Sequence, residues 1–306
     1  MSILAIDAGT TGVTVLVVSE LGEIMARGYQ EFEQHFPKPG WVEHQPEQIW
    51  EATLTACRQA LENEPKIDAI GITNQRETLV LWNRETLISP RNAIVWQDRR
   101  TSDIVEELKH HDELVRSKTG TNLDPYFTST KLVWVQRNEP NIWANVLEGK
   151  TAIGTVDSYL VARLTNGSHH ITDASNASRT QLCNIENAQW DDELLEIFNV
   201  PKNALPEIVP NYGHLAVTEP NAFLGIEAPI TGIAGDQQAA LFGQVAFNLG
   251  DSKCTYGTGA FLLINTGNRR IDSNSGLITT IAWKSSSGEI TYALEGSVFV
   301  AGAAVQ

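Results

Sequence analysis

The first twenty residues place two apolar stretches on either side of a glycine-rich turn. Residues 2–7 (SILAID) and 13–18 (VTVLVV) are dominated by aliphatic and β-branched side chains, and each predicts a strand. The turn at 8–12 (AGTTG) therefore joins two strands in a hairpin. A Rossmann turn or a Walker loop needs a helix directly after its glycines, so the pattern excludes both.

Farther along the chain, helical spacing of apolar positions alternates with short apolar runs. The alternation predicts helices over 46–61, 157–164, 191–198 and 236–247, strands over 67–72, 78–82 and 151–156, and a strand followed by a loop within 229–235. Strands that alternate with helices are typical of an α/β protein, so we expect a mixed sheet with flanking helices.

The opening plan occurs a second time near the other end of the chain. Residues 253–264 again predict a strand, a Gly-Thr-Gly loop and a strand, and a further hairpin is predicted over 277–294. We interpret this as the start of a second domain, with a first domain over 1–247, the second over 248–306, and a helix over 297–306. Because the second segment is far shorter than the first, we expect a complete first domain and the beginning of another, in a fragment of a longer protein.

Composition narrows the class of protein. With 306 residues, 42% of them apolar and 19% charged, the chain can bury a sizeable core. The 22 basic and 37 acidic residues give a net charge of −15, which argues against a nucleic-acid-binding surface. No apolar run has the length of a membrane span and the start does not resemble a signal peptide, so we expect a cytoplasmic protein. The three cysteines have no metal-ligand spacing.

The first glycine turn is a candidate phosphate site. Its glycines let backbone N–H groups approach a ligand, Thr10 and Thr11 add hydroxyl donors, and Asp7 at the strand end could hold Mg²⁺. The alternative is an ordinary hairpin turn with local side-chain hydrogen bonds. The second Gly-Thr-Gly loop favours the phosphate site, because two such hairpins facing each other would clamp the phosphates of a nucleotide.

A second candidate is Asp236, which opens a predicted helix. A carboxylate at a helix N-terminus stays ionised and could take the proton of a substrate hydroxyl, but it could equally be an ordinary N-cap. The stretch 172–180 is dense in small polar residues and predicts a loop, whose Arg179 could serve the site.

Arg76 and Glu77 form a third candidate between two predicted strands. A cation beside an anion offers donors and acceptors to the adjacent hydroxyls of a neutral polyol, although a salt-bridged loop pair is the alternative. Trp96, Tyr126 and Phe261 are aromatic side chains whose ordinary place is a core.

Six stretches of the chain carry a resemblance to a known family. They stand at 40–44 (GWVEH), 71–78 (GITNQRET), 95–101 (VWQDRRT), 172–180 (TDASNASRT), 235–243 (GDQQAALFG) and 294–298 (LEGSV). Together and in this order they resemble the glycerol kinases of the FGGY carbohydrate kinase family. The resemblance extends from residue 6 to residue 306.

The resemblance implies a fold, an activity and a set of site residues. It implies a ribonuclease H-like (actin-like ATPase) fold, transfer of the γ-phosphoryl group of MgATP to a hydroxyl of glycerol, and a homodimer. By position, Asp236 would be the general base, and glycerol would be bound by Arg76, Glu77, Trp96, Tyr126, Asp236, Gln237 and Phe261. Asp7 would hold Mg²⁺, and the nucleotide would be bound by Thr10, Thr11, Gly12, Thr14, Thr258, Gly302 and Gln306.

The first turn departs from the family's usual pattern. That pattern reads DQGTTSSR, whereas here Ala8 replaces the glutamine and Thr14 stands where a phosphate-side arginine is expected. Charge-assisted hydrogen bonds are roughly twice as strong as neutral ones, so the loss of that guanidinium could slow phosphoryl transfer or leave the role to another residue. Three alternatives stay open: a sibling kinase acting on a pentulose, a non-catalytic polyol-binding regulator, and an actin-like or chaperone-like nucleotide switch.

Overall fold

Strands and helices alternate along the chain, as the apolar pattern predicts. The computed structural model describes residues 1–62, 66–256 and 260–298. The strands in these ranges are β1 (Ser2–Ala8), β2 (Gly12–Ser19), β3 (Ile24–Glu31), β4 (Gln34–His35), β5 (Glu43–His44), β6 (Ala69–Asn74), β7 (Val80–Asn83), β8 (Ala93–Ile94), β9 (Thr151–Gly154), β10 (Ile171–Asp173), β11 (Cys183–Asn184), β12 (Gln189–Trp190), β13 (Glu207–Val209), β14 (Tyr212–Val217), β15 (Pro229–Gly235), β16 (Ser252–Tyr256), β17 (Ala260–Gly267), β18 (Ile278–Lys284) and β19 (Ile290–Val298). The α-helices are α1 (Pro46–Ala60), α2 (Ser102–Leu108), α3 (Asp112–Thr119), α4 (Thr128–Asn138), α5 (Pro140–Leu147), α6 (Val156–Leu164), α7 (Ala174–Ala177), α8 (Asp192–Phe198) and α9 (Asp236–Gly243), with 3₁₀ turns at Lys109–His111 and Lys202–Ala204.

A six-stranded mixed sheet forms the centre, in the order β14-β15-β6-β1-β2-β3. Strand β6 runs parallel to β1 and to β15, while β1, β2 and β3 are antiparallel to one another. The predicted first hairpin is therefore correct, and its register sets Asp7 opposite Thr14. A Cβ on Gly12 would lie 2.7 Å from the carbonyl oxygen of Gln30, so the close approach of β3 requires glycine there.

Helices α1 and α6 cover one face of this sheet. Helix α1 begins at Pro46, where the missing N–H is harmless in a first turn, and it buries Ile49 and Trp50 against the sheet. Helix α6 adds Tyr159 and Leu160 to the same core. Each fully buried aliphatic side chain contributes about 1.5–3 kcal/mol relative to exposure, so this face supplies much of the stability.

The opposite face of the sheet carries smaller side chains. We call it the open face, and it includes Ala5, Asp7, Thr14, Leu16 and Thr73. It borders a cavity of about 490 Å³, whose far wall is formed by side chains of β14, α9 and β18, namely Tyr212, Phe242 and Trp283.

A second sheet stands beside the end of β15 and the start of α9. Its four antiparallel strands run in the order β16-β17-β19-β18. Leu241 of α9 packs against Leu263 and Ala293 of this sheet, and Ala174 of α7 packs near Ile281. Helices α7 and α9, which directly follow β10 and β15, thus both contact the four-stranded sheet.

The structure corrects three sequence predictions. Helix α9 ends at Gly243, four residues before the predicted end at 247. The predicted final helix at 297–306 is wrong at its start, because Ser297 and Val298 complete β19, and its remainder lies outside the described residues. Stretch 172–180 is wrong as a loop: it contains part of β10 and all of α7, because a buried hydrogen-bond network satisfies its small polar side chains. The division into domains at 247/248 remains a prediction.

Of the helices that the structure describes, none is long and apolar enough to span a membrane.

Candidate active site

The loop after β6 presents Arg76 and Glu77, as the sequence predicts. Both side chains are buried, and Glu77 has a φ of 62°, a left-handed conformation that is uncommon for a residue other than glycine. Neighbouring bonds hold this backbone: the Thr128 hydroxyl donates to the carbonyl of Glu77 at 3.0 Å, and the Gln75 amide donates to the carbonyl of Gly9 at 3.0 Å. The loop is therefore tied to the first hairpin, and such strain is often retained where a site requires it.

The guanidinium of Arg76 lies at the centre of a buried set of charges. Its Nη1 and Nη2 donate to Glu295 at 2.6 and 2.9 Å, and its Nε lies 3.3 Å from Asp236 Oδ1 and 3.8 Å from Glu77. Burial acts to lower the pKa of Arg76, but the charges of Glu295 and Glu77 outweigh it and raise the pKa well above the usual range. Arg76 is thus a fixed cation shared between carboxylates.

Asp236 is the first residue of α9, and Gly235 stands at the N-cap position. The carboxylate accepts hydrogen bonds from the backbone and side-chain nitrogens of Gln237, at 2.8 and 3.1 Å. It is 36% exposed, although its partner Arg76 is only 2% exposed. A partly exposed carboxylate that is held at a helix N-terminus beside a fixed cation can accept a proton from a bound hydroxyl group.

Aromatic rings form one wall of the candidate site. Trp96 lies edge-on to Tyr126 and Phe261, with ring centroids 5.8 and 6.1 Å apart. The hydroxyl of Tyr126 lies 3.4 Å from Arg76 Nη2, which connects the wall to the charges. Lys131 is fully buried and donates to the carbonyl of Phe127 at 3.0 Å, so it fixes the turn that presents Tyr126.

The first hairpin meets this wall through one hydrogen bond. The indole Nε1 of Trp96 donates to Thr10 Oγ1 at 2.9 Å. The N–H of Gly9 donates to the carbonyl of Gly12 at 3.0 Å and closes the turn, in which Thr11 is exposed. The predicted phosphate turn and the predicted polyol residues therefore lie side by side.

Asp7 borders the open face, opposite Thr14. Asp7 is exposed at the cavity, but the protein around it removes part of its hydration and raises the pKa of the carboxyl to about 6; the negative charge of Asp236 adds to the rise. A cation bound near the two carboxylates would offset this repulsion.

The donor set bears on which metal could bind. Among the described residues, no group of three or more His, Cys, Asp or Glu side chains could form a metal cage. Mg²⁺ does not require one, because it keeps several waters and uses one or two carboxylates together with substrate phosphates. Asp7, with Asp236 close enough to perturb it, fits an Mg²⁺ ion that arrives with a nucleotide. The predicted nucleotide residues Thr258, Gly302 and Gln306 lie outside the described residues.

Sequence reasoning missed two charged residues of this site and left a third open. Glu295 accepts from both Arg76 and Arg179, and neither its strand nor its motif indicated a charge pair. Arg179, a loop candidate in the sequence, donates to Glu77 at 2.6 Å, and its Nη1 is buried without a hydrogen-bond partner among the described residues. Lys253 bonds the Gln237 side chain and lies 2.8 Å from Thr255 Oγ1; burial, together with the Arg76 charge, lowers its pKa to about 8. A lysine within a predicted strand was the available signal.

A buried polar network supports the start of α9 from behind. Asp173 caps α7 and accepts from the backbone of Ser175 at 2.7 Å and from Asn211 at 2.7 Å. The Ser175 hydroxyl in turn accepts from the N–H of Gly235 at 3.0 Å. The residue before Asp236 is therefore anchored to a carboxylate that lies wholly inside the protein.

The mixed six-stranded sheet, its first hairpin with an aspartate beside a Gly-Thr-Thr turn, and the helix that starts at Asp236 define the ribonuclease H-like fold of the actin-like ATPases. The comparison with family models agrees and is more specific. The model of the FGGY family of carbohydrate kinases, N-terminal domain, matches residues 2–243, and the chain belongs to this family.

Curated relatives are glycerol kinases. The chain is 51% identical to the glycerol kinase of Bdellovibrio bacteriovorus and 50% identical to glycerol kinase 2 of Sulfolobus acidocaldarius, with 99% of the chain aligned to each. The alignments cover 63% and 61% of those two proteins. The chain thus spans less than two thirds of the length of these relatives.

Solved structures confirm the predicted fold class. A glycerol kinase from Plasmodium falciparum, crystallised with ADP, superposes with a TM-score of 0.93 at 39% identity, covering 99% of this chain and 62% of that one. A xylulose kinase from Brucella ovis gives a TM-score of 0.89 at 26% identity, covering 100% of this chain and 62% of that one.

Proposed function

We propose that the chain carries the polyol-binding and catalytic part of a glycerol kinase, which transfers the γ-phosphoryl group of ATP to glycerol and yields ADP and sn-glycerol 3-phosphate. One observation carries the proposal: the Asp236 carboxylate lies 3.3 Å from the buried Arg76, whose Nη2 lies 3.4 Å from the hydroxyl of Tyr126 in the aromatic wall. Relatives named glycerol kinase, 51% and 50% identical to the chain, support glycerol as the substrate.

Asp236 acts as the general base in this proposal. A glycerol hydroxyl oxygen attacks the γ-phosphorus, its proton passes to the Asp236 carboxylate, and the bond from the γ-phosphorus to the bridging oxygen breaks, releasing ADP. Arg76 Nε lies 3.3 Å from Oδ1 of this carboxylate and holds it in place.

The remaining polyol residues bind and orient glycerol. Arg76 and Glu77 offer charged donors and acceptors, and Tyr126 and Gln237 offer neutral ones. Trp96 and Phe261 pack against the carbon chain, as their edge-on arrangement allows. Glycerol has only six heavy atoms, and at about −1.5 kcal/mol per atom its binding is limited to about −9 kcal/mol, so specificity depends on pairing every hydroxyl.

The nucleotide side of the proposal involves Mg²⁺ and the first hairpin. Mg²⁺ bound with ATP would neutralise charge on the phosphates. Asp7 would hold the ion, and the turn residues Thr10, Thr11 and Gly12, with Thr14 on β2, would face the phosphates. Thr258, Gly302 and Gln306 are proposed to contact the nucleotide from the other side.

Calorimetric titration of the 306-residue protein with glycerol, and with a pentulose in parallel, tests this proposal. We expect saturable heat with glycerol alone. Heat with the pentulose alone would indicate a sibling kinase that acts on a pentulose. The likeness to a xylulose kinase supports this alternative. Silence with both would contradict glycerol binding by this chain.

Assembly and location complete the proposal. We infer a homodimer in the cytoplasm, as the family resemblance implies. Light scattering of the purified protein checks the dimer, and a single protomer mass would contradict it. Cell fractionation checks the location.

A further inference from the structure

Glu295 is a fully buried carboxylate that joins β19 to two arginines from distant parts of the chain. Its Oε2 accepts from Arg76 Nη1 at 2.6 Å, and its Oε1 accepts from Arg76 Nη2 at 2.9 Å and from Arg179 Nη2 at 3.2 Å. The hydroxyl of Ser297 lies 3.2 Å from the same Oε1. Both oxygens of this buried carboxylate thus accept hydrogen bonds, as a buried charge requires.

This arrangement fixes the orientation of Arg76. A guanidinium presents a planar fork, and two parallel bonds to one carboxylate define its plane. Because both Nη atoms are bound to Glu295, only Nε remains directed at Asp236 and Glu77. Without Glu295, the fork would be free to turn and form the paired bonds with Asp236 instead.

The arrangement also connects two parts of the fold. Arg76 follows β6 of the six-stranded sheet, whereas Glu295 lies in β19 of the four-stranded sheet. Gln238 of α9 adds a second link, since its Oε1 accepts from Arg76 Nη1 at 3.2 Å and its Nε2 lies 3.3 Å from the carbonyl of Ile281.

We propose that Glu295 is a positioning residue: it binds both Nη atoms of Arg76 and so keeps the guanidinium from pairing fully with Asp236, which makes the polyol site depend on the seating of β19. The inference rests on the proposed function for its effect on glycerol. The orientation of Arg76, however, can be measured without any ligand.

The test compares three variants of the 306-residue protein. Glu295→Gln removes the charge. Because it leaves a buried cation in excess, the double variant Glu295→Gln/Arg179→Gln restores the charge balance and guards against loss of folding. Glu139→Gln is the matched control, because Glu139 also pairs with an arginine, Arg91 at 2.6 Å, but away from the site.

Two readouts separate positioning from structural support. The first is the side-chain Nε–Hε nuclear magnetic resonance signal of Arg76, assigned with Arg76→Lys and recorded without ligand. It should shift and broaden in both Glu295 variants and stay unchanged in Glu139→Gln. The second is the glycerol dissociation constant, which should rise about tenfold in the double variant even though its thermal midpoint recovers, as expected for a misplaced charge-assisted bond.

The outcomes distinguish the two proposals. An unchanged Arg76 signal in the double variant overturns the positioning role, and so does glycerol affinity that recovers together with stability. If the unmodified protein does not bind glycerol, the proposed function fails, and the Arg76 signal alone decides whether Glu295 sets the orientation of the guanidinium.

Discussion

At the scale of single residues, Asp236 illustrates how surroundings assign a role. The same carboxylate could be a helix cap or a base, and the sequence leaves both open. In the structure Gly235 occupies the cap position, and Asp236 keeps more than a third of its surface exposed beside a buried arginine. Burial of the partner and exposure of the acid favour proton transfer over a purely structural role.

Asp236→Asn is expected to lower phosphoryl transfer at least about a hundredfold, because an amide cannot take the hydroxyl proton. Glycerol binding should change little, and so should the start of α9, since the amide oxygen of Asn can still accept from the N–H of Gln237. Release of ADP at saturating glycerol measures the first effect, and calorimetry with thermal unfolding checks the others. Undiminished turnover would leave Asp236 with a structural role only.

At the scale of elements, Arg76 approaches the start of α9 closely because Gly235, the residue before this helix, has no side chain. A Cβ on Gly235 would lie 2.7 Å from both Cγ and Cδ of Arg76 and 2.9 Å from the side-chain oxygen of Gln238. The strand β15 therefore has to end in a residue without a side chain for the guanidinium to reach its carboxylates.

Gly235→Ala is expected to lower the free energy of unfolding by about 1–3 kcal/mol, the usual effect of overpacking, and to weaken glycerol binding by displacing Arg76. Gly243→Ala at the other end of α9 is the matched control, since a Cβ there would meet no atom within 4 Å. Chemical denaturation and calorimetry give both quantities. Equal free energies of unfolding for the two variants would show that the close contact between position 235 and Arg76 does not affect stability.

The first hairpin supplies a second prediction at this scale. Thr14 faces Asp7 across the hairpin and borders the cavity, which leaves room for a longer side chain. Thr14→Arg should tighten MgATP binding about tenfold by adding a charge-assisted bond to a phosphate. Leu21→Arg, on an 85% exposed position in the turn after β2, adds the same charge elsewhere. A similar gain in that control would assign the effect to net charge.

Local elements were predictable from sequence, and long-range pairs were not. The hairpin of β1 and β2 follows from neighbouring residues, whereas the contact between Arg76 and Glu295 joins positions 219 residues apart. Stretch 172–180 was wrong as a loop because composition does not reveal partners: its Asp173 is satisfied by Asn211, which no local pattern relates to it. Glu295 was missed although it lies in the family stretch 294–298, and Lys253, which lies outside all six stretches, was missed as well.

At the scale of the whole molecule, buried titratable groups set the dependence of stability on pH. His44 is fully buried, with Phe32 edge-on at 5.0 Å, and burial together with the charge of His35 lowers its pKa from 6.5 to about 4. Asp157 shows the reverse: burial, with the charge of Asp173, raises its pKa from 3.8 to about 7.

The two groups act in opposite directions. Below pH 6.5 the unfolded chain binds a proton on His44, whereas the folded ring stays neutral. The stabilisation that the neutral ring gives the folded state is therefore present above pH 6.5 and is lost as pH falls toward 4. Asp157 in the folded protein keeps its proton to a higher pH than in the unfolded chain. The stabilisation that it gives the folded state is therefore present below pH 3.8 and is lost as pH rises toward 7.

His44→Gln should therefore reduce the loss of stability between pH 7 and pH 4.5 by up to about 3 kcal/mol relative to the unmodified protein. Asp157→Asn should change the same difference in the opposite sense. Urea denaturation at both pH values gives the change in the free energy of unfolding with pH for each protein. The comparison uses only this change, so the absolute stability of each variant does not affect it. Parallel slopes for all three proteins would contradict the assignment of these two groups.

The bond between Trp96 and Thr10 has a consequence for the direction of a single hydrogen atom. An indole can only donate, so in the 2.9 Å contact the threonine oxygen has to be the acceptor. A hydroxyl that accepts in this way retains its own hydrogen for another partner. Trp96, which we propose to pack against the carbon chain of glycerol, thereby makes the Thr10 hydroxyl an acceptor on its own side. The hydrogen of that hydroxyl can then be donated to an anionic oxygen, as the proposed phosphate role of Thr10 requires.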